Sequence, residues 1–549
     1  MKEIKLKIVF FLILVFSLSI FYRLYHFQIE KGEYHKALAL GQQVSFKQTA
    51  GQRGEIFFNN EKTLLAQTRK KNLLYIFPDK VSNKEKLKEF LNKDFSEEIE
   101  ENKVIRKEIT RELFEKIVKE NFKGVHLDKI WGRSYPQKEL ASHVAGFLNR
   151  EGKGQYGIEG SFDEILKGKE ETKKEGKSPF GYLAFWSDVD TIKTDSLKGD
   201  DLVLTLDYNI QYSAEKALIE AKENWDIDSG QIIISKPKTG EIAALAVYPG
   251  FDPNHYEKEK SLKSFINPVY QELFEPGSIF KPITMASTLE EKLITPTTTY
   301  EDKGSVEAGG PPIYNFQERV WGEQSMTDVL EESINTGAVF VQQKLGKELF
   351  LKYLERFSFF EKTEIGLQGE TFSLNNTLRK GYARDIATAS FGQGIEITPL
   401  QLIKAFGSIA NQGTLMKPLI VKKIIGANEE IKEISPQAEK TIISPRTVRE
   451  ITSMMISVVE NGAGRRAKIE GYNIAGKTGT AQIPLKGGGY DEDKTIQSFI
   501  GFFPAYDPQF LILIKLDGAN SLMAGHSAAP LFKELAHYII NYKEIPPCY

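Results

Sequence analysis

The chain has 549 residues, enough for two or three domains, and 41% of them are hydrophobic, an ordinary globular proportion. Its 72 basic and 74 acidic side chains leave a formal charge of −2, which excludes the basic footprint of a nucleic-acid-binding protein. The single cysteine, Cys548, excludes a disulfide framework or cysteine-based zinc site, and the seven histidines include no His-Glu-x-x-His, so no metal or cofactor site is expected.

Lys2, Lys5 and Lys7 precede an apolar run over 8–22 that only Ser17 and Ser19 interrupt. Such a run of about 15 residues falls short of the roughly 20 that a bilayer span requires. Leu6 before it, and Leu24, Tyr25 and Phe27 after it, lengthen it and add an interfacial aromatic belt. A secretory signal also opens with charge and a short apolar core. Here no small-x-small cleavage site follows closely, and Ala37-Leu38-Ala39 lies too far downstream. Residues 1–27 are therefore expected to be a cytoplasmic tail and an uncleaved single-pass anchor. The lysines before the span put the N-terminus inside and the rest of the chain outside.

From 28 to about 170, strand-like runs such as 73–77 alternate with charged helical stretches such as 83–95. Between 167 and 200 aliphatic residues become scarce and Lys, Glu, Gly and Asp abound, which reads as a linker or surface excursion. A strand is expected over 201–206 and a helix over 210–222. Residues 232–234 and 242–247 read as buried strands joined by the turn Pro237-Lys238-Thr239-Gly240. Further strands are expected at 472–482, 498–503 and 510–516, with a closing helix over 530–542. Strands at both ends with helices between define an α+β domain whose sheet joins its two ends. The expected organisation is 1–27, 28–200 and 201–549.

Three motifs in order carry chemistry. Ser278-Ile279-Phe280-Lys281 is followed by Ser333-Ile334-Asn335 and then by Lys477-Thr478-Gly479-Thr480. Singly they are weak, since the chain also holds Ser235-Lys236-Pro237-Lys238, Lys238-Thr239-Gly240 and Ser373-Leu374-Asn375. Context separates them. Pro276-Gly277 breaks the preceding segment, and Ile279, Ile283, Ala286 and Leu289 keep helical spacing, so Ser278 is expected to begin a helix. Lys281 then stands one turn above Ser278 on the same face. A serine hydroxyl needs a base, and a lysine is one only when burial beside another cation lowers its pKa. Most helix-start serines are merely N-caps, so position alone would not suffice. In the decoy, Pro237 separates Ser235 from Lys238 within a turn, and no helical face is shared. Lys477-Thr478-Gly479-Thr480 lies inside an expected strand, where a glycine marks close approach of another backbone. An extended peptide can add to such an edge, with Lys477 offering charge to a substrate carboxylate and Thr478 and Thr480 donating hydrogen bonds.

The triplet is the signature shared by penicillin-binding proteins and class A β-lactamases. With its surroundings the chain resembles the class B penicillin-binding proteins, closest to the septal, cell-division type. Gly240-Glu241-Ile242 and Tyr248-Pro249-Gly250-Phe251-Asp252-Pro253-Asn254 resemble the family's lead-in to its serine. Ser390-Phe391-Gly392-Gln393-Gly394 with Thr398-Pro399-Leu400-Gln401, Ala481-Gln482, Phe499-Ile500-Gly501-Phe502 and Ala529-Pro530-Leu531-Phe532 continue the likeness. Upstream, Arg53-Gly54-Glu55-Ile56, Arg133-Ser134-Tyr135-Pro136 and Gly157-Ile158-Glu159 resemble motifs of its pedestal, so the likeness spans nearly the whole chain. Two departures stand out, Phe57-Phe58-Asn59-Asn60 for Asp-Arg-Asn-Gly and Met523-Ala524-Gly525-His526 for a Tyr-Gly-Gly-like turn. Neither is expected to touch the chemistry.

The resemblance implies an α+β, penicillin-binding/β-lactamase-like transpeptidase domain over 201–549, an antiparallel sheet with helices on both sides. An anchor and an elongated α+β, dimerisation-like pedestal over 28–200 precede it. It implies that Ser278 attacks the penultimate D-Ala of a stem peptide ending in D-Ala-D-Ala. Lys281 is then the base, Ser333 relays a proton, Asn335 holds Lys281 and the substrate amide, and the N–H groups of Ser278 and Thr480 form the oxyanion hole. Lys477, Thr478, Gly479 and Thr480 bind substrate, and β-lactams acylate Ser278. The stretch 28–200 lacks a Glu-Asp-x-x-Phe glycosyltransferase signature, which implies a separate membrane-embedded glycan polymerase and other division-complex proteins as partners. The implied location is the bacterial cytoplasmic (inner) membrane with an extracytoplasmic catalytic domain.

Two other readings compete. A D,D-carboxypeptidase or β-lactamase-type hydrolase would need a water-activating carboxylate, for which Glu370 with Asn375 is the candidate, one residue off the usual spacing. A catalytically silent scaffold or sensor would keep the fold without the reactive residues, all of which are present here.

Overall fold

The computed structural model describes residues 2–25, 44–81, 85–87, 91, 105–120, 122–176, 198–484, 490–521 and 523–548. The helix expected over 83–95 is described only at 85–87, which are helical, and at 91; the rest lies outside the described residues. The chain forms two compact units, residues 1–52 with 167–199, and residues 53–166 with 200–549.

The first unit holds the helix Lys2–Tyr25 and an antiparallel pair of strands, Val44–Ala50 and Glu170–Gly176. Part of the expected linker is thus a strand, in which Glu170 faces Ala50 and Gly176 faces Val44; 177–197 lie outside the described residues. Phe10, Phe11, Ile13, Leu14, Phe16, Leu18 and Phe21 are exposed along the helix. Among the described residues no helix is long and apolar enough to cross a membrane. Side chains are described here only from Phe10 on, a stretch shorter than the roughly 20 residues of a span.

The second unit is built on two sheets. In the five-stranded one, Ile242–Tyr248, Ser229–Ser235, Phe510–Asp517, Tyr490–Phe503 and Ala475–Pro484 are neighbours in that order, all antiparallel. Ile242–Tyr248, Ser229–Ser235 and Phe510–Asp517 hold continuous apolar runs because both faces are covered. Ile232, Ile234, Ile512 and Ile514 pack with the helices Tyr208–Trp225 and Ala528–Tyr542. Ile233, Leu245, Leu511 and Leu513 point the other way, into the core built with the helices Lys281–Glu290, Pro399–Ile409 and Pro445–Glu460. Successive strand residues face opposite sides, so one apolar run serves two cores. Three of these helices begin at a side-chain cap, Asp207 for Tyr208–Trp225, Thr398 for Pro399–Ile409 and Ser444 for Pro445–Glu460.

The second sheet runs Ile431–Glu433, Val421–Ile425, Asp201–Leu204, Ile56–Phe57, Leu64–Ile76 and Ile105–Ile109, with Val125–Ser134 also paired to Leu64–Ile76. Ile56–Phe57 runs parallel to Asp201–Leu204, so residues on both sides of position 200 share one sheet. Beneath it, the three pedestal motifs meet in one buried ion cluster. Glu159, 0% exposed, accepts from Arg53 Nε at 2.7 Å and Arg133 Nε at 2.6 Å. Tyr135 Oη donates to it at 3.2 Å, and Arg53 Nη1 reaches Asp163 at 2.6 Å. Burial, then the charge of Glu159, holds the Tyr135 phenol well above its ordinary pKa.

Candidate active site

Ser278 does not open an α-helix. Gly277–Phe280 is a single 3-10 turn, and the α-helix begins at Lys281. The cause is Pro282, which has no N–H to give the Ser278 carbonyl, so the Lys281 N–H closes an i→i+3 bond to it instead. In a 3-10 turn residues i and i+3 eclipse, which brings Lys281 over Ser278 more directly than an α-helix would. Gly277 makes the turn at φ 61°, and its N–H bonds to Gly392 O at 3.0 Å. A Cβ on Gly392 would lie 2.2 Å from Gly277 O, so the 390–394 loop needs glycine to buttress the serine turn.

Lys281 is 1% exposed and Lys477 0%. Lys281 Nζ donates to Ser333 O at 2.5 Å, Asn335 Oδ1 at 2.9 Å and Ser333 Oγ at 3.2 Å. Lys477 Nζ approaches the same Ser333 Oγ at 3.0 Å and donates to Thr478 O at 3.0 Å. One hydroxyl thus bridges two buried amines. Among the described residues neither amine has a carboxylate in ion-pair contact. Burial first, then the charge of Lys477, holds Lys281 well below its ordinary lysine pKa. Burial pushes Lys477 down to about 7, against a smaller upward pull from Glu332. A neutral Lys281 keeps two donors, enough for Ser333 O and Asn335 Oδ1, and frees a lone pair for a hydroxyl proton.

Ser333 sits at φ 57°, left-handed backbone unusual for serine, between the helices Met326–Glu331 and Asn335–Leu345. That kink hands Ser333 to the amines and leaves Asn335 on the first turn of the next helix. Asn335 Nδ2 donates to Tyr314 O at 3.2 Å, which turns its Oδ1 towards Lys281.

Ala475–Pro484 is the edge strand of its sheet and runs beside the serine turn. A Cβ at Gly479 would lie 2.8 Å from Ile279 Cγ2, 3.1 Å from Ile279 N and 2.6 Å from Ser498 Oγ, so only glycine permits this approach. The structure therefore brings Ser278, Lys281, Ser333, Asn335, Lys477 and Gly479 together. Lys477 differs from expectation, since its ammonium is aimed inward at Ser333. Thr478 is buried, and Thr480 is half-buried with its Oγ1 accepting from Ala524 N at 3.4 Å. The departing segment 523–526 therefore does reach the site, contrary to expectation, because the turn Ala524–His526 packs on that edge strand.

The other motif copies fall elsewhere. Ser235 ends a strand, and Lys238 reaches Asp507 at 2.5 Å on the surface. Glu370 accepts from Thr363 N at 2.5 Å, Thr363 Oγ1 at 2.6 Å and Glu364 N at 3.2 Å, all within its own loop. Sequence reasoning missed the residues that hold the second motif. Asp302, the pair Tyr314–Asn315 and Thr336 come from three separate stretches of the chain and carry no periodic signal.

A part-exposed serine over a buried lysine of lowered pKa, beside a glycine-bearing edge strand, defines a serine acyl-transfer site. Comparison with known proteins agrees. The Penicillin binding protein transpeptidase domain matches residues 230–537, and the Penicillin-binding Protein dimerisation domain matches residues 48–204. Stage V sporulation protein D of Bacillus subtilis is 33% identical over 509 residues, covering 87% of this chain and 76% of that protein. The Peptidoglycan D,D-transpeptidase FtsI homolog of Mesostigma viride is 30% identical over 462 residues, covering 78% and 76%. The crystal structure of penicillin binding protein 3 from Mycobacterium tuberculosis with aztreonam superposes at TM-score 0.72, at 25% identity, covering 92% of this chain and 98% of that one. The chain belongs to the penicillin-binding protein transpeptidase family, with that family's dimerisation domain ahead of its catalytic domain.

Proposed function

We propose that the protein cross-links peptidoglycan as a D,D-transpeptidase, through an acyl-enzyme on Ser278. The observation that carries this is the Ser333 hydroxyl held between the buried amines of Lys281, one turn from Ser278, and Lys477, both lowered in pKa chiefly by burial. Ser278 Oγ attacks the penultimate D-Ala carbonyl of a stem peptide while its proton passes to the Lys281 lone pair. The tetrahedral oxyanion is met by the N–H groups of Ser278 and Thr480, each such donor worth roughly 2.7–4 kcal/mol. Collapse breaks the D-Ala-D-Ala amide, and the proton relayed through Ser333 leaves with the terminal D-Ala amine. The acceptor amine of a second stem then attacks the ester, forming the cross-link and restoring Ser278. The edge strand Ala475–Pro484 offers the stem peptide a place to add as one more strand. A β-lactam would acylate the same serine, and its tethered leaving group keeps the ester from turning over.

Glu370 bears on the hydrolase reading. Its oxygens hold Thr363 and Glu364, which favours aminolysis over water activation. The occupied reactive positions favour an enzyme over a silent scaffold. The test is a D-Ala-D-Ala stem-peptide analogue supplied with an amine acceptor. The expected product is the new amide with release of one D-Ala; release of D-Ala into free acid alone, or steady hydrolysis of penicillin, would favour the hydrolase.

The domain scheme 1–27, 28–200 and 201–549 and the membrane location belong to the same proposal. The exposed apolar side chains between Phe10 and Tyr25 suit a lipid environment, and Lys2, Lys5 and Lys7 before the apolar run favour a cytoplasmic N-terminus. The septal role, with a glycan polymerase and division-complex proteins as partners at the inner membrane, rests on the family resemblance. A fluorescent fusion concentrated at division sites supports the septal role; an even distribution along the envelope contradicts it.

A further inference from the structure

Behind the second motif lies a buried carboxylate that the mechanism above does not use. Asp302, 1% exposed, ends the strand Thr299–Asp302. Its Oδ1 accepts from Thr336 Oγ1 at 2.6 Å, Asn315 Nδ2 at 3.0 Å and Gly304 N at 3.1 Å. Its Oδ2 accepts from Asn315 Nδ2 at 2.9 Å and Trp321 N at 2.9 Å. A carboxylate stripped of water is stable here because four separate donor groups replace that water.

Those donors have a shared purpose. Asn315 Oδ1 accepts from Thr336 N at 3.1 Å, satisfying one of the orphan N–H groups at the start of the helix Asn335–Leu345. The neighbouring Tyr314 O accepts from Asn335 Nδ2 at 3.2 Å. Residues 314 and 315 therefore grip 335 and 336, and Asp302 bonds both Asn315 and Thr336. Thr336 has one hydroxyl proton, which its shortest contact commits to Asp302; the Tyr300 hydroxyl at 3.1 Å then donates to Thr336. Every polar atom of the grip acquires a fixed direction. The Asn335 amide can keep its oxygen on Lys281 Nζ only while Tyr314 O stays opposite its nitrogen.

We propose that Asp302 is a positioning residue for acyl transfer, acting through Asn315, Thr336 and Tyr314 to set the Asn335 amide against Lys281. This rests on the reading of Lys281 as the base for Ser278. Asp302→Asn puts an amide N–H₂ against groups that are already donors and releases the grip without changing its size. Thr336→Val removes only the hydroxyl, and Thr336→Ser keeps it.

The test is the acylation of the full chain by a fluorescent penicillin, resolved into non-covalent binding and the acylation rate constant and normalised to folded protein by thermal melting. Asp302→Asn is expected to slow the acylation step roughly tenfold to a hundredfold while binding moves by less than about threefold. Thr336→Val is expected to follow in the same direction, and Thr336→Ser to restore the wild-type rate. Should Asp302→Asn fail to fold, the threonine pair decides alone. An unchanged acylation step in the folded Asp302→Asn protein overturns the assignment, as does an unchanged step in Thr336→Val. Labelling that persisted in Ser278→Ala would defeat the parent reading instead, whatever the Asp302 variants do.

Discussion

Lys477 shows how one side chain can set the chemistry of another. Its amine shares the Ser333 hydroxyl with Lys281, so protonating both at once is disfavoured in a site that excludes water. In the unfolded chain Lys477 keeps its proton to about 10.5, and in the fold it releases it near about 7. Between those values the unfolded chain binds more protons. Stability therefore rises with pH across that window, and the destabilisation is complete below it. Lys477→Met, of similar length and uncharged, is expected to flatten the rise, measured by denaturant unfolding from about pH 6 to about pH 10. The same substitution removes the charge that, after burial, helps to hold Lys281 below its ordinary pKa, and is expected to slow acylation roughly a hundredfold. Equal pH slopes in both proteins would contradict this account of Lys477. The sequence named this lysine but not its direction. On a strand covered on both faces no alternation of polar and apolar residues marks which side a given residue takes.

At the scale of elements, the strands and helices of 201–549 were legible because their apolar runs and caps are local. Helix Tyr208–Trp225 begins at Asp207, and the runs near 232, 245 and 513 are strands, as expected. What was not legible was the break between the serine turn and the helix, although Pro282 states it once hydrogen bonds are considered. The Asp302 grip was also invisible, because it joins residues 13 and 34 positions apart. Gly479 was read correctly as a point of close approach. Its neighbour is the backbone of Ile279, which cannot move without carrying Ser278 with it. Gly479→Ala is accordingly expected to lower the acylation rate at least roughly a hundredfold, with a stability loss of about 1–3 kcal/mol. Near-wild-type labelling by this variant would show that strand and turn do not need their present separation.

For the second unit as a whole, the pedestal motifs prove to be a structural joint. Each motif alone could have been a turn or a surface ion pair; together they bury Glu159 between Arg53 and Arg133. Ile56–Phe57, which follows Arg53 in the chain, joins the sheet that also contains Asp201–Leu204 and Val421–Ile425. Removing one partner of a buried ion cluster leaves uncompensated charge, so Glu159→Gln is expected to cost about 3–5 kcal/mol of stability. Chemical unfolding with an unchanged denaturant slope would measure it, and a loss below about 1 kcal/mol would deny the joint its role.

The enzyme itself stands or falls on whether Ser278 is the atom that becomes acylated. The direct measurement is intact-protein and peptide mass spectrometry after treatment with penicillin. One adduct per chain, confined to the peptide that contains Ser278, is the predicted result. An adduct on Ser333 or Ser235, or a folded protein that takes up none, would contradict it.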